Sequence, residues 1–92
     1  MRENLNEGRV LVDFFADWCG PCKMLKPTVT KFAEEQSDVN VVMINVDEHV
    51  DITTEFGIRS IPTLLYMEDG KVVERAVGTK TLEELYTFTQ VN

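Results

Sequence analysis

The sequence predicts an α/β fold, a mixed β-sheet with helices packed on its faces, and three observations carry that expectation. Val10-Leu11-Val12-Asp13-Phe14-Phe15-Ala16 is apolar at nearly every position, as in a strand covered on both faces. A helical stretch leads out of it and a second β-branched run, Val39 to Val46, follows, which makes a βαβ unit with parallel pairing. Near the end of the chain, Thr63 to Met67 and Lys71 to Val77 flank Glu68-Asp69-Gly70, whose Asp-Gly pair marks an antiparallel hairpin.

Taken in order, residues 1 to 8 are polar apart from Met1 and Leu5, and read as a frayed turn or short helix before the first strand. That strand is expected to be central. In the helix after it, Cys22, Leu25, Val29, Phe32 and Ala33 form an apolar stripe, with Lys23, Lys26, Lys31, Glu34 and Glu35 off it. Pro27 removes one backbone hydrogen bond there, which predicts a kink and not a stop. A short helix over Val50 to Phe56 has Gly57 placed as its C-terminal cap. Thr81-Leu82-Glu83-Glu84 reads as a capping box, and Leu82, Leu85 and Phe88 give the last helix its apolar face.

The 92 residues suit one domain, residues 1–92, with a modest margin of stability. Sixteen acidic against nine basic side chains leave a net charge of -7, which opposes phosphate binding, so no nucleic-acid partner is expected. No stretch approaches a membrane span, and residues 1 to 8 lack the apolar core of a secretory leader. A cytoplasmic, monomeric protein is the expectation.

Chemistry concentrates in Trp18-Cys19-Gly20-Pro21-Cys22, which holds both cysteines and the only tryptophan. The segment sits at a strand-to-helix junction, where unpaired N–H groups and the positive helix end favour a thiolate over a thiol. Cys19 is therefore expected to be an exposed, acidic nucleophile. Cys22 lies on the apolar stripe and is expected to be the buried partner that resolves a mixed disulfide. Pro21 suits a first turn, and Gly20 keeps the approach to Cys19 open. A zinc half-site and a structural bridge are the competing readings, but zinc needs four ligands and only His49, in a distant acidic loop, is left to join. Asp13 is the only charge in the first strand. Burial there predicts a carboxyl pKa raised toward neutrality.

Phe14-Phe15-Ala16-Asp17-Trp18-Cys19-Gly20-Pro21-Cys22-Lys23-Met24 resembles the active-site segment of the thioredoxin family, and Gly57-Ile58-Arg59-Ser60-Ile61-Pro62-Thr63-Leu64 resembles that family's second signature. The resemblance runs from about Arg9 to the C-terminus. It implies a thioredoxin-like three-layer sandwich, with the strands ordered Val39, Val10, Thr63, Lys71. The family's usual first strand and helix have no counterpart in residues 1 to 8, so four strands are expected, or five if those residues add one.

The implied function is that of a thiol-disulfide oxidoreductase that reduces protein disulfides through a redox-active Cys19–Cys22 pair, with no metal or other cofactor. By the same resemblance Asp13 exchanges protons with Cys22. Trp18, Gly20, Pro21, Ile61, a cis Pro62, Val77 and Gly78 would line the client groove. Disulfide-containing clients and thioredoxin reductase are the implied partners. Met43 departs from the family where many members place a lysine near the buried aspartate, Phe15 replaces a usual tryptophan, and Ser60 replaces a smaller residue. The alternatives are a glutaredoxin-like electron donor, for which the sequence offers no basic glutathione site, and a thioredoxin-fold module that binds a partner without turnover.

Overall fold

In the computed structural model, which describes residues 5–90, seven elements follow one another. They are β1 (Arg9–Phe15), α1 (Gly20–Glu35), β2 (Val39–Asn45), α2 (Val50–Glu55), β3 (Thr63–Glu68), β4 (Lys71–Val77) and α3 (Leu82–Phe88). The strands form one four-stranded sheet in the order β2-β1-β3-β4, with β1 and β2 parallel and the other neighbours antiparallel. This is the order the family resemblance implied. A fifth strand from residues 1–8 is not present among residues 5–8, which are bends; residues 1–4 lie outside the described part.

β1 reads as a continuous apolar run because its two faces feed different cores. Val10, Val12 and Phe14 pack with Ile44, Ile52, Leu65 and Met67 under α2. Leu11 points the other way, into Leu25, Val29 and Phe32 of α1, Leu64 of β3 and Leu85 of α3. Strand alternation places Asp13 on this second face. Ala33 is exposed, so the stripe of α1 is narrower than the sequence suggested.

The entry to β1 departs from expectation. Leu5 is only 1% exposed and belongs to the core under α2, so residues 5–8 are not frayed. Gly8 and Asp69 clamp this segment to the β3–β4 turn: Gly8 N donates to Asp69 Oδ1 and Asp69 N donates to Gly8 O, both at 2.9 Å. One apolar side chain and two hydrogen bonds fix what polar composition alone presents as loose.

The local signals at the other element ends hold. Asp69 (φ 51°) and Gly70 (φ 87°) both adopt the left-handed conformation an Asp-Gly hairpin turn needs. Gly57 (φ 65°) follows Phe56, the C-cap of α2, and α1 continues through Pro27. Both bonds of the Thr81–Glu84 capping box are made. At the far end of the sheet, Arg9 gathers several elements: it donates to Tyr66 Oη (2.6 Å), Asp38 Oδ2 (2.7 Å) and Thr89 O (2.6 Å).

Candidate active site

β1 ends at Phe15 and the chain turns into α1 with Cys19 as its N-cap. Gly20 and Pro21 open the helix; Pro21 has no N–H to leave unpaired, and a Cβ on Gly20 would meet nothing within 4 Å. Cys22 lies one turn on. Its N–H donates to Cys19 Sγ across 3.2 Å, and the two sulfurs form a disulfide with the Cα atoms 5.2 Å apart.

The expected contrast between an exposed Cys19 and a buried Cys22 is not found in this oxidised state. Cys19 is 5% exposed and Cys22 4%, and both pack in a cluster with Ala16, Phe15, Val46 and Ile61. Cys22 has its own opening, a cavity of about 360 Å³ bordered by Phe15, Asp17, Lys26 and Met43.

Around the disulfide, the predicted groove residues come from three separate loops. Trp18 is 69% exposed and shares a cavity of about 190 Å³ with Val46, Ile58, Arg59 and Ile61. The Ile61–Pro62 peptide is cis. Gly78, with φ at 103°, donates its N–H to Pro62 O (2.9 Å), and Val77 pairs with Thr63, so the segment after β4 is joined to the cis-proline loop. Val77 is 65% exposed.

Asp13 is buried in mid-sheet, between Met43 of β2 and Leu64 of β3 in the register. Neither carboxylate oxygen has a hydrogen-bond partner among the described residues. Burial pushes its pKa up to about 6 from an ordinary 3.8. An acid in that range can both take and return a proton near neutral pH.

Comparison with known proteins agrees with this geometry. The family model described as Thioredoxin matches residues 2–91. The chain belongs to the thioredoxin family. It is 46% identical over 87 residues to a thioredoxin of Chlamydia caviae, covering 90% of this chain and 85% of that one. With a thioredoxin of Bacillus subtilis it shares 48% over 81 residues, 87% of this chain and 78% of the relative. Among solved structures, oxidised mitochondrial thioredoxin 3 of Saccharomyces cerevisiae superposes with a TM-score of 0.87 at 31% identity, covering 98% of this chain and 86% of that one. A mutant thioredoxin of Halobacterium salinarum does so at 0.82 and 41%, with coverage of 94% and 79%.

As a thioredoxin-family protein the chain is a thiol-disulfide oxidoreductase, and its redox group is the Cys19–Cys22 disulfide, with no added cofactor. Among the described residues, no group of three or more His, Cys, Asp or Glu side chains is placed to hold a metal ion, and no helix is long and apolar enough to cross a membrane. His49 stands at the N-cap of α2. One thioredoxin-site contact escaped the sequence: Trp18 Nε1 donates to Asp47 Oδ2 (2.8 Å), tying the loop before α1 to the loop after β2. Asp47 is followed by Glu48 and His49, and nothing in that polar run singles it out.

Proposed function

We propose that this thioredoxin-family chain, one domain over residues 1–92, reduces disulfides of client proteins, with Cys19 as the attacking and Cys22 as the resolving thiol. The Cys19 thiolate attacks one client sulfur, forming a mixed disulfide and releasing the other client sulfur as a thiolate. Cys22 gives its proton to the Asp13 carboxylate and attacks Cys19 Sγ. That breaks the mixed disulfide, releases the second client thiolate and leaves the Cys19–Cys22 disulfide. Two electrons pass to the client. A reductase, of the thioredoxin reductase kind, returns them in the cytoplasm.

The observation that carries this assignment is the N–H of Cys22 aimed at Cys19 Sγ at the positive end of α1. That donor and the helix end lower the energy of a thiolate at Cys19 and offer nothing equivalent to Cys22. Trp18, Gly20, Pro21, Ile61, Pro62, Val77 and Gly78 would receive an extended client segment. Each chain carries a whole site, so turnover needs no second copy.

The test is trapping. Cys22→Ser is expected to accumulate mixed disulfides with a disulfide-bonded protein such as insulin, and Cys19→Ser to form none. Trapping by Cys19→Ser instead would reverse the roles; binding without reduction by the unaltered chain would make it a non-catalytic module.

A further inference from the structure

Charge is spread unevenly over this chain. Sixteen acidic against nine basic side chains leave the whole at -7. Two cavities border the cluster that holds the disulfide: one of about 190 Å³ takes Val46 and Ile61 of that cluster into its wall, and one of about 360 Å³ takes Phe15, Ala16 and Cys22. Among the described residues, the charged side chains that line them are Arg59 in the first and Lys23, Lys26 and Asp17 in the second. Three cations to one acid beside the sulfurs reverses the balance of the chain as a whole, so charge at contact range opposes the long-range field.

Arg59 stands on a loop that is tied down on both sides of it. Ile58 N donates to Thr53 O (3.1 Å), Gly57 O accepts from Arg75 Nη2 (2.9 Å), and Ser60 O accepts from Thr63 Oγ1. The next residues are Ile61 and the cis Pro62. The Arg59 side chain itself is exposed and makes no hydrogen bond or ion pair among the described residues. A fixed backbone lowers the ordering cost of meeting a carboxylate, and a guanidinium can hold both of its oxygens.

The cavity beside Arg59 is otherwise apolar except for Thr53, with Trp18, Val46, Ile58 and Ile61 in its wall. Asp47, the acid at the edge of Trp18, already accepts from Trp18 Nε1 (2.8 Å) and does not line that cavity.

We propose that Arg59 is a specificity-determining residue: the protein favours clients that place an apolar side chain in the Trp18 cavity and an Asp or Glu carboxylate on the Arg59 guanidinium beside it. This rests on the reading of Trp18 and Ile61 as the surface that receives the client. At -7 the protein as a whole repels an acidic segment and attracts a basic one, so an acidic preference can come only from contact.

The experiment is single-turnover reduction of symmetrical peptide disulfides by the reduced full chain, with peptide thiols counted after an acid quench. Each peptide holds one cysteine, a leucine for the cavity, and Glu, Gln or Lys scanned over the three positions on either side of the cysteine. The Cys19 thiolate attacks one peptide sulfur, the other peptide leaves as a thiolate, and Cys22 releases the first, so two peptide thiols appear for each Cys19–Cys22 disulfide formed. Every rate is divided by that of the same peptide with dithiothreitol, which removes the effect of the neighbouring charge on the disulfide itself.

At the position that meets Arg59 the expected order is Glu, Gln, Lys, with Glu ahead of Gln roughly two- to fivefold at low salt, as for an exposed charge pair. The ratio should fall toward one at 1 M salt, where the screening length is only about 3 Å. Arg59→Gln should abolish the preference for Glu, and Arg59→Lys should keep part of it. Equal rates, or a preference for Lys at every position, overturn the inference and leave the oxidoreductase reading intact. So does a Glu preference that survives in Arg59→Gln. Failure to reduce any of the peptides overturns both.

Discussion

Replacing Asp13 by Asn removes a titration without changing the shape of the side chain much, and the structure fixes what that should do. The folded pKa of about 6 lies above the ordinary 3.8, so the native protein keeps a proton that the unfolded chain has already lost. Stability therefore falls as pH rises from about 3.8 to about 6, and above that window the penalty is fully present. The gap of about 2.2 units corresponds to roughly 3 kcal/mol at about 1.36 kcal/mol per unit. At pH 4 only about 0.5 kcal/mol of it has developed, because the unfolded group is half ionised there.

Asp13→Asn should thus gain about 2.5 kcal/mol relative to the unaltered protein between pH 4 and pH 8. That equals roughly 1 to 2 M in the urea midpoint at the slopes usual for small domains. The comparison is best made on oxidised protein, where the disulfide removes both thiol titrations, by following far-UV circular dichroism in urea at each pH. Any constant cost of burying an amide in place of a carboxylic acid cancels between the two pH values. A stability difference between variant and unaltered protein that is the same at pH 4 and pH 8 would show that Asp13 is not desolvated in solution, and would remove it as proton carrier.

Other perturbations probe other links. Trp18 fluorescence should change between the oxidised and reduced forms, as the lone indole adjoins the disulfide; identical spectra would separate it from the sulfurs. Asp13→Asn should also slow insulin reduction at neutral pH, and an unchanged rate would mean that Cys22 loses its proton by another path. Arg9→Met breaks three side-chain hydrogen bonds at the sheet's far end. Because the guanidinium is partly solvated, the expected loss is only about 1 to 2 kcal/mol, read as a lower urea midpoint with reductase activity intact. Leu5→Ala should cost roughly 2 to 5 kcal/mol, as expected of a core leucine; a change below about 0.5 kcal/mol, ordinary for a surface site, would place Leu5 outside the core.

The strands, the helices and the cysteine pair were legible because each rests on a local rule: an apolar run buried on both faces, a 3.6-residue stripe, an Asp-Gly turn, a capping box. Asp13 was legible for a related reason, since a single charge in a run without a polar face has nowhere to go but inward. The cis Ile61–Pro62 bond came from family resemblance alone. What stayed hidden depends on contacts distant in sequence. Leu5 is buried by strands that follow it, Trp18 finds Asp47 across 29 residues, and Arg9 reaches Thr89 across 80. Cys19 exposure was misjudged because the sequence describes a thiol at a helix start, whereas in the disulfide both cysteines pack with Ala16, Phe15, Val46 and Ile61.

The position of β1 also bears on how the chain survives its own synthesis. Among the described strands it comes first in the chain and lies inside the sheet, yet its parallel partner begins at Val39 and its antiparallel partner at Thr63. At about 5 to 20 residues per second, several seconds pass before both are available. During that wait Val10-Leu11-Val12-Asp13-Phe14-Phe15 is a bare apolar segment, the kind that aggregates. Asp13 is ionised in the unfolded chain and sits in its middle. The same carboxyl that becomes a buried acid titrating at about 6 on folding is thus a charged gatekeeper on the nascent polypeptide, and Asp13→Asn, though more stable once folded, should give a lower soluble yield.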